Sequence, residues 1–123
     1  MVKMVYCLRR KEGMSLADFQ RYWREVHGPL VAKHAAALRV RRYVQVHTLD
    51  NPLNQALGQR RGNAGEPYDG VAELWWDSLE DFLAAGQTEE GRRAAQELLE
   101  DERNFIDLQR STVFLAQEHP IVA

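Results

Sequence analysis

The chain has 123 residues, a formal net charge of −2, 45% hydrophobic residues and 28% charged residues, values typical of one globular domain. The near-neutral charge gives no general attraction to nucleic acid, and no apolar run approaches the roughly 20 residues of a membrane helix. The single cysteine, Cys7, excludes an internal disulfide and a cysteine-rich zinc site. We expect one domain over residues 1–123, located in the reducing cytoplasm, with no nucleic-acid or membrane partner.

The chain begins with elements typical of a mixed α and β domain. Residues 2–8 are apolar and β-prone, as in a strand. Ser15, with Asp18 three residues later, resembles a capping box and predicts the start of an amphipathic helix over 15–27. The apolar residues of this helix recur at intervals of three and four and are Leu16, Phe19, Tyr22, Trp23 and Val26.

Gly28-Pro29 interrupts the helical pattern. Proline lacks a backbone N–H and clashes with the carbonyl four residues earlier, so the helix is expected to end or kink here. Proline suits the first turn of a helix, which predicts a second helical segment over 29–38. This places His27 at a helix C-terminus, where the helix dipole favours the imidazolium form.

Residues 41–49 alternate in polarity and predict a strand with two unlike faces. Val44 and Val46 point to one side of this strand. The opposite, polar row comprises Tyr43, Gln45 and His47. If the valines face the helices, the polar row lines a cavity on the other face of the sheet, where its groups could orient an oxygenated ligand.

The second half of the chain predicts a loop, two strands and two helices. Residues 50–68 are rich in Asn, Gly, Pro and Arg without a period, and a loop of this length often acts as a mobile lid. The other predicted elements are a strand over 70–76, a short helix capped by Asp77 or Ser78 and closed near Gly86, a helix over 89–103 capped by Thr88, and a strand over 111–118.

The order β-α-β-β-α-β predicts a ferredoxin-like α+β fold, an antiparallel sheet with helices on one face. The strand over 70–76 is nevertheless apolar on both faces, with Val71 and Trp75 on one side and Leu74 and Trp76 on the other. A sheet face that is apolar and free of helices needs a partner, and the simplest partner is a second copy of the chain. We therefore predict a homodimer that buries the helix-free face.

Three segments, RYWREVHGPLVAKHA, RRYVQVH and YDGVAELWWDSLEDF, together with the closing FLAQEHPIV, resemble the EthD family over essentially the whole chain. The most specific part contains Trp23, His27, Gly28, Pro29 and Leu30. The resemblance implies a dimeric α+β barrel, in which two ferredoxin-like domains pair sheet to sheet and enclose a pocket. It also implies a small cyclic or aromatic molecule handled without metal or flavin, by decarboxylation, dehydration, isomerisation or a monooxygenase-like oxidation.

His27 and His47 are the candidate catalytic residues, because an imidazole exchanges protons near neutral pH. A similar methylisomerase uses the histidine of the motif that contains His27, and the alternative is a structural hydrogen bond at the kink. For His47, the alternative is a solvated strand end. Glu73, flanked by large apolar residues, is a candidate substrate-binding group that could approach His47 or Arg42 and tune a base, or form a structural ion pair.

Aromatic residues are the candidates for an apolar pocket wall, although most such residues belong to a core. The candidates are Trp23, four residues from His27 on one helix face, and Trp75 or Trp76. No HxH, HExxH or Cys–His pair suggests a metal site, and no GxGxxG or Walker sequence suggests a nucleotide cofactor. We expect neither metal nor cofactor.

Two functions use the same predicted pocket. The first is a cofactor-independent enzyme, in which His27 acts as acid or base while His47, Tyr43 and Gln45 contact substrate oxygens. The second is a dimeric module that binds a small molecule without turnover. A histidine held by a second side chain favours the enzyme, whereas an apolar cavity with both histidines in solvent favours the module.

Overall fold

The computed structural model describes residues 1–63 and 65–123 and places four antiparallel strands in one sheet of order β2-β3-β1-β4. The strands are β1 (Val2–Leu8), β2 (Arg42–His47), β3 (Gly70–Trp76) and β4 (Thr112–Ala116). The helices are α1 (Leu16–Tyr22), α2 (Gly28–His34), α3 (Leu53–Gln59), α4 (Leu79–Ala85) and α5 (Glu89–Glu102). This element order and sheet order confirm the ferredoxin-like α+β prediction.

Side-chain caps fix the starts of three helices, as their sequences predict. The hydroxyl of Ser15 accepts a hydrogen bond from the backbone N–H of Asp18 at 3.1 Å. The same bond forms at the starts of α4 and α5, where the capping residues are Ser78 and Thr88. Each cap satisfies a backbone donor that the helix itself leaves free, so these boundaries are readable from local sequence.

The helix does not end at Gly28-Pro29, which corrects one of the two predicted outcomes, an end or a kink. A π-helical turn over Trp23–His27 joins α1 to α2, and the N–H of Gly28 bonds to the carbonyl of Trp23, five residues earlier. The extra residue of this turn shifts the backbone carbonyls that precede Pro29 away from their α-helical positions. Pro29 then occupies the first turn of α2, where its missing N–H is not needed. His27 therefore lies within a continuous helix and not at a free C-terminus.

The polar row of β2 faces the helices, which corrects the predicted orientation of that strand. The side-chain amide of Gln45 donates to the backbone carbonyl of Trp23 at 2.9 Å, and the His47 ring stacks on the Trp23 indole at 4.5 Å between centroids. Strict alternation then places Val44 and Val46 on the helix-free face. The two faces of β2 are thus the reverse of those expected from polarity.

The core lies between the sheet and the helical segment 16–34. The ring centroid of Phe19 is 5.6 Å from those of both Trp23 and Phe105, and all three side chains are fully buried. Leu8 at the end of β1 joins this cluster. Burial of these large side chains fixes the helical segment against the sheet, and it also positions His27 one turn beyond Trp23.

Residues 50–68 contain helix α3, which the absence of a period did not predict. The side chain of Asn51 accepts a hydrogen bond from the N–H of Leu53 at 2.8 Å and helps to start the helix. Leu53 and Leu57 on this helix are exposed, so its apolar residues do not pack on a core face. No helix in the described part of the chain has the length and apolar character needed to cross a bilayer.

Gly70→Ala is expected to destabilise the fold by about 1–3 kcal/mol, the usual cost of overpacking a core. A Cβ at this position would overlap Cζ3 of Trp23 and lie 2.8 Å from its Cη2. The indole cannot move away freely because it stacks on His47. Urea unfolding measures the loss of stability. Gly13→Ala is a comparison with no overlap: a Cβ at Gly13 meets nothing within 4 Å, so any loss there comes from the positive φ of Gly13 and not from packing. A midpoint unchanged by Gly70→Ala would contradict this packing argument.

Candidate active site

A cavity of about 420 Å³ lies between the helices and the sheet, within the volume range of small-molecule sites. Its wall is largely apolar and includes Met4, Val31, Leu74, Trp76, Leu98 and Ile106. The hydroxyl-bearing and ionisable side chains that line it are Tyr6, His27, Tyr43 and Glu102. A depression of about 480 Å³ beside Lys11 is larger, but it is more open to solvent and less apolar, so the cavity between the helices and the sheet is the candidate site.

His27 is held in this cavity by a carboxylate from α5. The residue is only 6% exposed, and the ring Nδ1 lies 2.8 Å from Oδ2 of Asp101. The other oxygen of Asp101 accepts hydrogen bonds from the Tyr22 hydroxyl at 2.6 Å and from the Asn104 amide at 3.2 Å. Three side chains, Asp101 directly and Tyr22 and Asn104 through it, therefore fix the orientation of one imidazole.

Burial lowers the pKa of His27 below 6.5, and the hydrogen bond and charge of Asp101 oppose this only in part. Burial alone would raise the pKa of Asp101, but hydrogen bonds from Tyr22, His27 and Asn104 bring it below its ordinary value. Near neutral pH, a neutral imidazole donates its Nδ1–H to a carboxylate. This arrangement leaves the lone pair on Nε2.

Nε2 of His27 is open to the cavity. It has no hydrogen-bond partner among the described residues. Among the described residues, every fully buried side-chain nitrogen or oxygen has a hydrogen-bond partner. Because Nε2 has none, it is not fully buried and retains accessible surface. Because the residue lines the cavity, a molecule bound there would meet an oriented base.

Glu102 follows Asp101 on α5 and points to a different wall of the site. The Tyr6 hydroxyl on β1 donates to its Oε1 at 2.9 Å. Burial raises the pKa of Glu102, and so does the charge of Asp101, while the bond from Tyr6 lowers it in part. Burial, followed by the charge and the hydrogen bond of Glu102, raises the pKa of Tyr6.

Glu102→Gln is expected to raise Tm at about pH 7. The folded-state pKa of Glu102 lies above its unfolded value, so stability present at low pH is lost as pH rises through the folded pKa. A pKa difference of one corresponds to about 1.4 kcal/mol, or roughly 4 °C in a domain of this size. Glutamine keeps an acceptor for Tyr6 but carries no charge.

Thermal melts at about pH 4 and pH 7.5 test this expectation. The gain in Tm should grow with pH and nearly vanish at the lower value, where both proteins are neutral at this position. Glu97→Gln is the matched control, because Glu97 lies on the same helix with a side chain 43% exposed. A Tm lowered by Glu102→Gln at the higher pH would contradict the argument.

Tyr43 lines the cavity, whereas Gln45 and His47 lie behind it. The amide nitrogen of Gln45 donates to the Tyr43 oxygen at 2.8 Å, and its Oε1 is 2.8 Å from Nε2 of His47. Burial raises the pKa of Tyr43, and hydrogen bonds from Gln45 and Trp23 lower it in part. The polar row thus orients one phenol.

His27 and His47 do not share a cavity, which corrects the expectation that a substrate atom could lie between them. The Trp23 indole lines the cavity on one side and stacks on His47. His47 is half-buried, and burial followed by the charge of Arg24 lowers its pKa. The structure therefore offers His27 as the single imidazole at the site.

Glu73 and Trp75 lie on the helix-free face, opposite the cavity. The Glu73 carboxylate is 3.2 Å from Nζ of Lys3, so it neither approaches His47 nor lines the site. Of the two neighbouring tryptophans it is Trp76 that lines the cavity, with its Nε1 donating to the Leu38 carbonyl at 2.7 Å. This resolves which tryptophan faces the site.

Sequence reasoning missed Tyr6, Asp101 and Glu102. One available signal was the acidic run at 100–102, since acidic side chains at a helix C-terminus oppose the helix dipole. No described residue of 50–68 lines the cavity, so this segment does not cover it as a lid in this structure. Among the described residues, no three His, Cys, Asp or Glu side chains are grouped to hold a metal ion.

Comparison with protein families matches the EthD domain to residues 11–109. The conidial pigment biosynthesis dehydratase EthD of Metarhizium robertsii is 28% identical over 106 residues, which span 85% of this chain and 72% of that protein. These matches include the segment that carries His27 and most of the cavity wall.

Solved structures share the fold at low identity. An EthD family protein from Bacillus halodurans has a TM-score of 0.64 at 18% identity, covering 97% of this chain and 99% of that one. A dimeric ferredoxin-like protein from Bacteroides fragilis has a TM-score of 0.58 at 11% identity, covering 95% of each chain. The cofactor-independent oxygenase SnoaB from Streptomyces nogalater has a TM-score of 0.54 at 16% identity, covering 98% and 95%.

Proposed function

We propose that this chain, which belongs to the EthD family, is a cofactor-independent enzyme that transfers protons on a small cyclic or aromatic compound. The observation that carries the proposal is His27, buried in an apolar cavity and held through Nδ1 by Asp101 at 2.8 Å. A module that only binds has no need of a buried imidazole whose second nitrogen faces the ligand space. The dehydratase name of the fungal relative makes loss of water the favoured reaction.

In this reaction, Nε2 of His27 removes a proton from the carbon next to a carbonyl group. The bond electrons form a carbon–carbon double bond as a hydroxyl group leaves from the next carbon and becomes water. Asp101 stabilises the imidazolium that forms, because the hydrogen bond and charge of this carboxylate raise the pKa of His27. The largely apolar wall lowers the local dielectric constant, which strengthens each of these electrostatic contributions.

Tyr43 is the proposed donor to the substrate carbonyl. Its oxygen already accepts a hydrogen bond from the Gln45 amide at 2.8 Å, so its own proton is directed elsewhere. Because Tyr43 lines the cavity, that proton can stabilise the negative charge that develops on a carbonyl oxygen. His47 then acts as a positioning residue, since it fixes the Gln45 amide that holds Tyr43.

The active form is proposed to be a homodimer joined through the helix-free face. One cross-strand row on this face comprises Val44, Glu73, Val5 and Phe114. The charge of Glu73 is balanced by Lys3 at 3.2 Å, so the row can be buried without an unpaired ion. The dimeric state of the Bacteroides fragilis neighbour supports this assembly.

Ring opening of 5-nitrobenzisoxazole tests the proposed base without knowledge of the natural substrate. This aromatic probe needs only loss of one C–H proton, and its nitrophenolate product is followed by visible absorbance. We expect the protein to exceed the rate of imidazole buffer, with activity rising with pH and half-maximal below pH 6.5, since only neutral His27 is a base. A rate no higher than that of buffer, from protein that still binds 1-naphthol, would instead support a non-catalytic binding module.

A further inference from the structure

We infer that Glu102, positioned by Tyr6, is the general acid that protonates the leaving hydroxyl group; this inference rests on the proposed function. The proposed reaction requires such an acid, because hydroxide is a poor leaving group in an apolar cavity. His27 is neutral before the reaction and serves as the base, so the proton for the leaving group has to come from a second group. Among the described residues that line the cavity, Glu102 alone carries a carboxyl group.

Asp101 and Glu102, two successive residues at the end of α5, contact different walls of the site. Asp101 bonds to His27 on the π-helical turn, whereas Glu102 bonds to Tyr6 on β1. One carboxyl group therefore serves the base, and the other is free of the base and faces the bound molecule. This separation is the geometry needed to remove a proton at one carbon and deliver one at the next.

The hydrogen bond from Tyr6 selects the oxygen that carries the proton. Tyr6 donates to Oε1 at 2.9 Å, so an acidic proton resides on Oε2. No described residue forms a hydrogen bond with Oε2. Since every fully buried side-chain oxygen among the described residues has a partner, Oε2 is not fully buried and keeps accessible surface. Tyr6 is thus a positioning residue, and Oε2 is the donor.

The surroundings of Glu102 favour its protonated form. The ionisable groups that face it are Tyr6 from β1, Tyr43 from β2, His27 from the π-helical turn and Asp101 on its own helix. Among the described residues, no Lys or Arg forms an ion pair with Glu102. Burial and the Asp101 charge therefore raise its pKa, which keeps the proton available at a higher pH than in an exposed glutamic acid.

Both proton transfers of this step use residues of the chain itself. His27 gains the carbon-bound proton, the C–H electron pair forms the double bond, and the C–O bond breaks as Glu102 adds its proton to the leaving oxygen. Water, an imidazolium and a carboxylate result, with no change in oxidation state. The imidazolium then returns its proton to Glu102 through water as the product leaves.

Glu102→Gln and two probes test this inference. The first probe is 3-hydroxy-1-tetralone, a bicyclic β-hydroxyketone that loses water to give fluorescent 1-naphthol. The second is 5-nitrobenzisoxazole, whose phenolate oxygen leaves without a proton. We expect Glu102→Gln to lower the rate on the tetralone by about 10²- to 10⁴-fold, the usual loss of a positioned acid, and to lower the rate on the isoxazole far less.

The pH profile separates an acid from a structural residue. Wild-type turnover of the tetralone should fall at high pH as Glu102 ionises, and this limb should be absent in Glu102→Gln. Tyr6→Phe removes a bond that lowers the pKa of Glu102, so the limb should move to higher pH. The control Glu97→Gln, on an exposed carboxylate paired with His34 away from the cavity, should leave both probes unaffected.

Equal losses on both probes in Glu102→Gln would overturn the inference, because they would indicate a general disturbance of the cavity. So would a tetralone rate in Glu102→Gln equal to that of wild type. Failure of the wild-type protein on 5-nitrobenzisoxazole overturns the proposed function itself, and the inference with it. Failure on the tetralone alone overturns only the inference.

Discussion

Replacing His27 with glutamine is expected to lower the rate of 5-nitrobenzisoxazole ring opening by about 10²- to 10⁴-fold, the range for loss of a positioned base. Glutamine keeps an N–H donor for Asp101, so the carboxylate is not left unpaired in its half-buried position. It has no basic nitrogen at neutral pH. The loss should therefore appear in kcat, with little change in the binding of 1-naphthol.

His34→Gln is the matched control for this substitution. His34 lies seven residues after His27 and also pairs with a carboxylate of α5, Glu97, at 2.9 Å. It does not line the cavity, so the same chemical change is expected to leave the rate unchanged. Equal rates for the His27→Gln and wild-type proteins would show that another group is the base.

Asp101→Asn provides a second measurement on the same pair. The hydrogen bond and charge of Asp101 raise the pKa of His27, so their loss should lower that pKa further. The acid limb of the rate profile should move to lower pH, and the plateau rate should fall because a weaker base removes the proton. An unmoved acid limb would mean that a group other than His27 titrates there.

The fold was accessible from sequence because its determinants are local. Ser15, Ser78 and Thr88 cap helices through residues three positions ahead. The strand over 70–76 is a short run of mostly apolar residues. Only three features resisted this kind of reasoning. They are the π-helical turn before Gly28-Pro29, the helix over Leu53–Gln59 and the direction of the polar row on β2.

The polar row of β2 shows why the sequence did not predict which face of the sheet carries the site. Alternation sorts Tyr43, Gln45 and His47 onto one face but does not say which face meets the helices. Polarity argued for the outer face, yet each of these groups finds a partner inside, beginning with the Trp23 carbonyl. Buried polar side chains are acceptable when they are satisfied, and that condition depends on tertiary contacts.

The carboxylates of the site lie far from its histidine in sequence. Asp101 is 74 residues from His27, and Glu102 is 96 residues from Tyr6. No periodicity or motif in one sequence links positions at such separations. His27, Trp23, Tyr43 and Trp76 line the cavity. Tyr43 was expected on the other face of the sheet and Trp76 was one of two alternatives, and the catalytic and binding roles of all four stay predictions.

Phe114→Glu is expected to convert the proposed homodimer into a monomer. Phe114 lies on the helix-free face of β4 opposite Val5, and it is 48% exposed in the single chain. A carboxylate buried there without a partner costs about 3–5 kcal/mol. A two-fold interface contains the substitution twice, so the dissociation constant should rise by about 10⁴-fold or more.

Light scattering at micromolar concentration measures the result as a change from about twice 14.2 kDa to 14.2 kDa. The control is Leu53→Glu, which adds the same charge at a leucine of α3 that is 67% exposed and lies outside the sheet. That variant should remain dimeric. Because Phe114 is already half exposed in one chain, the monomer should keep its Tm within a few degrees of Leu53→Glu. A Phe114→Glu protein that stays dimeric would place the interface on another surface, and the helix-free face would then need a different partner.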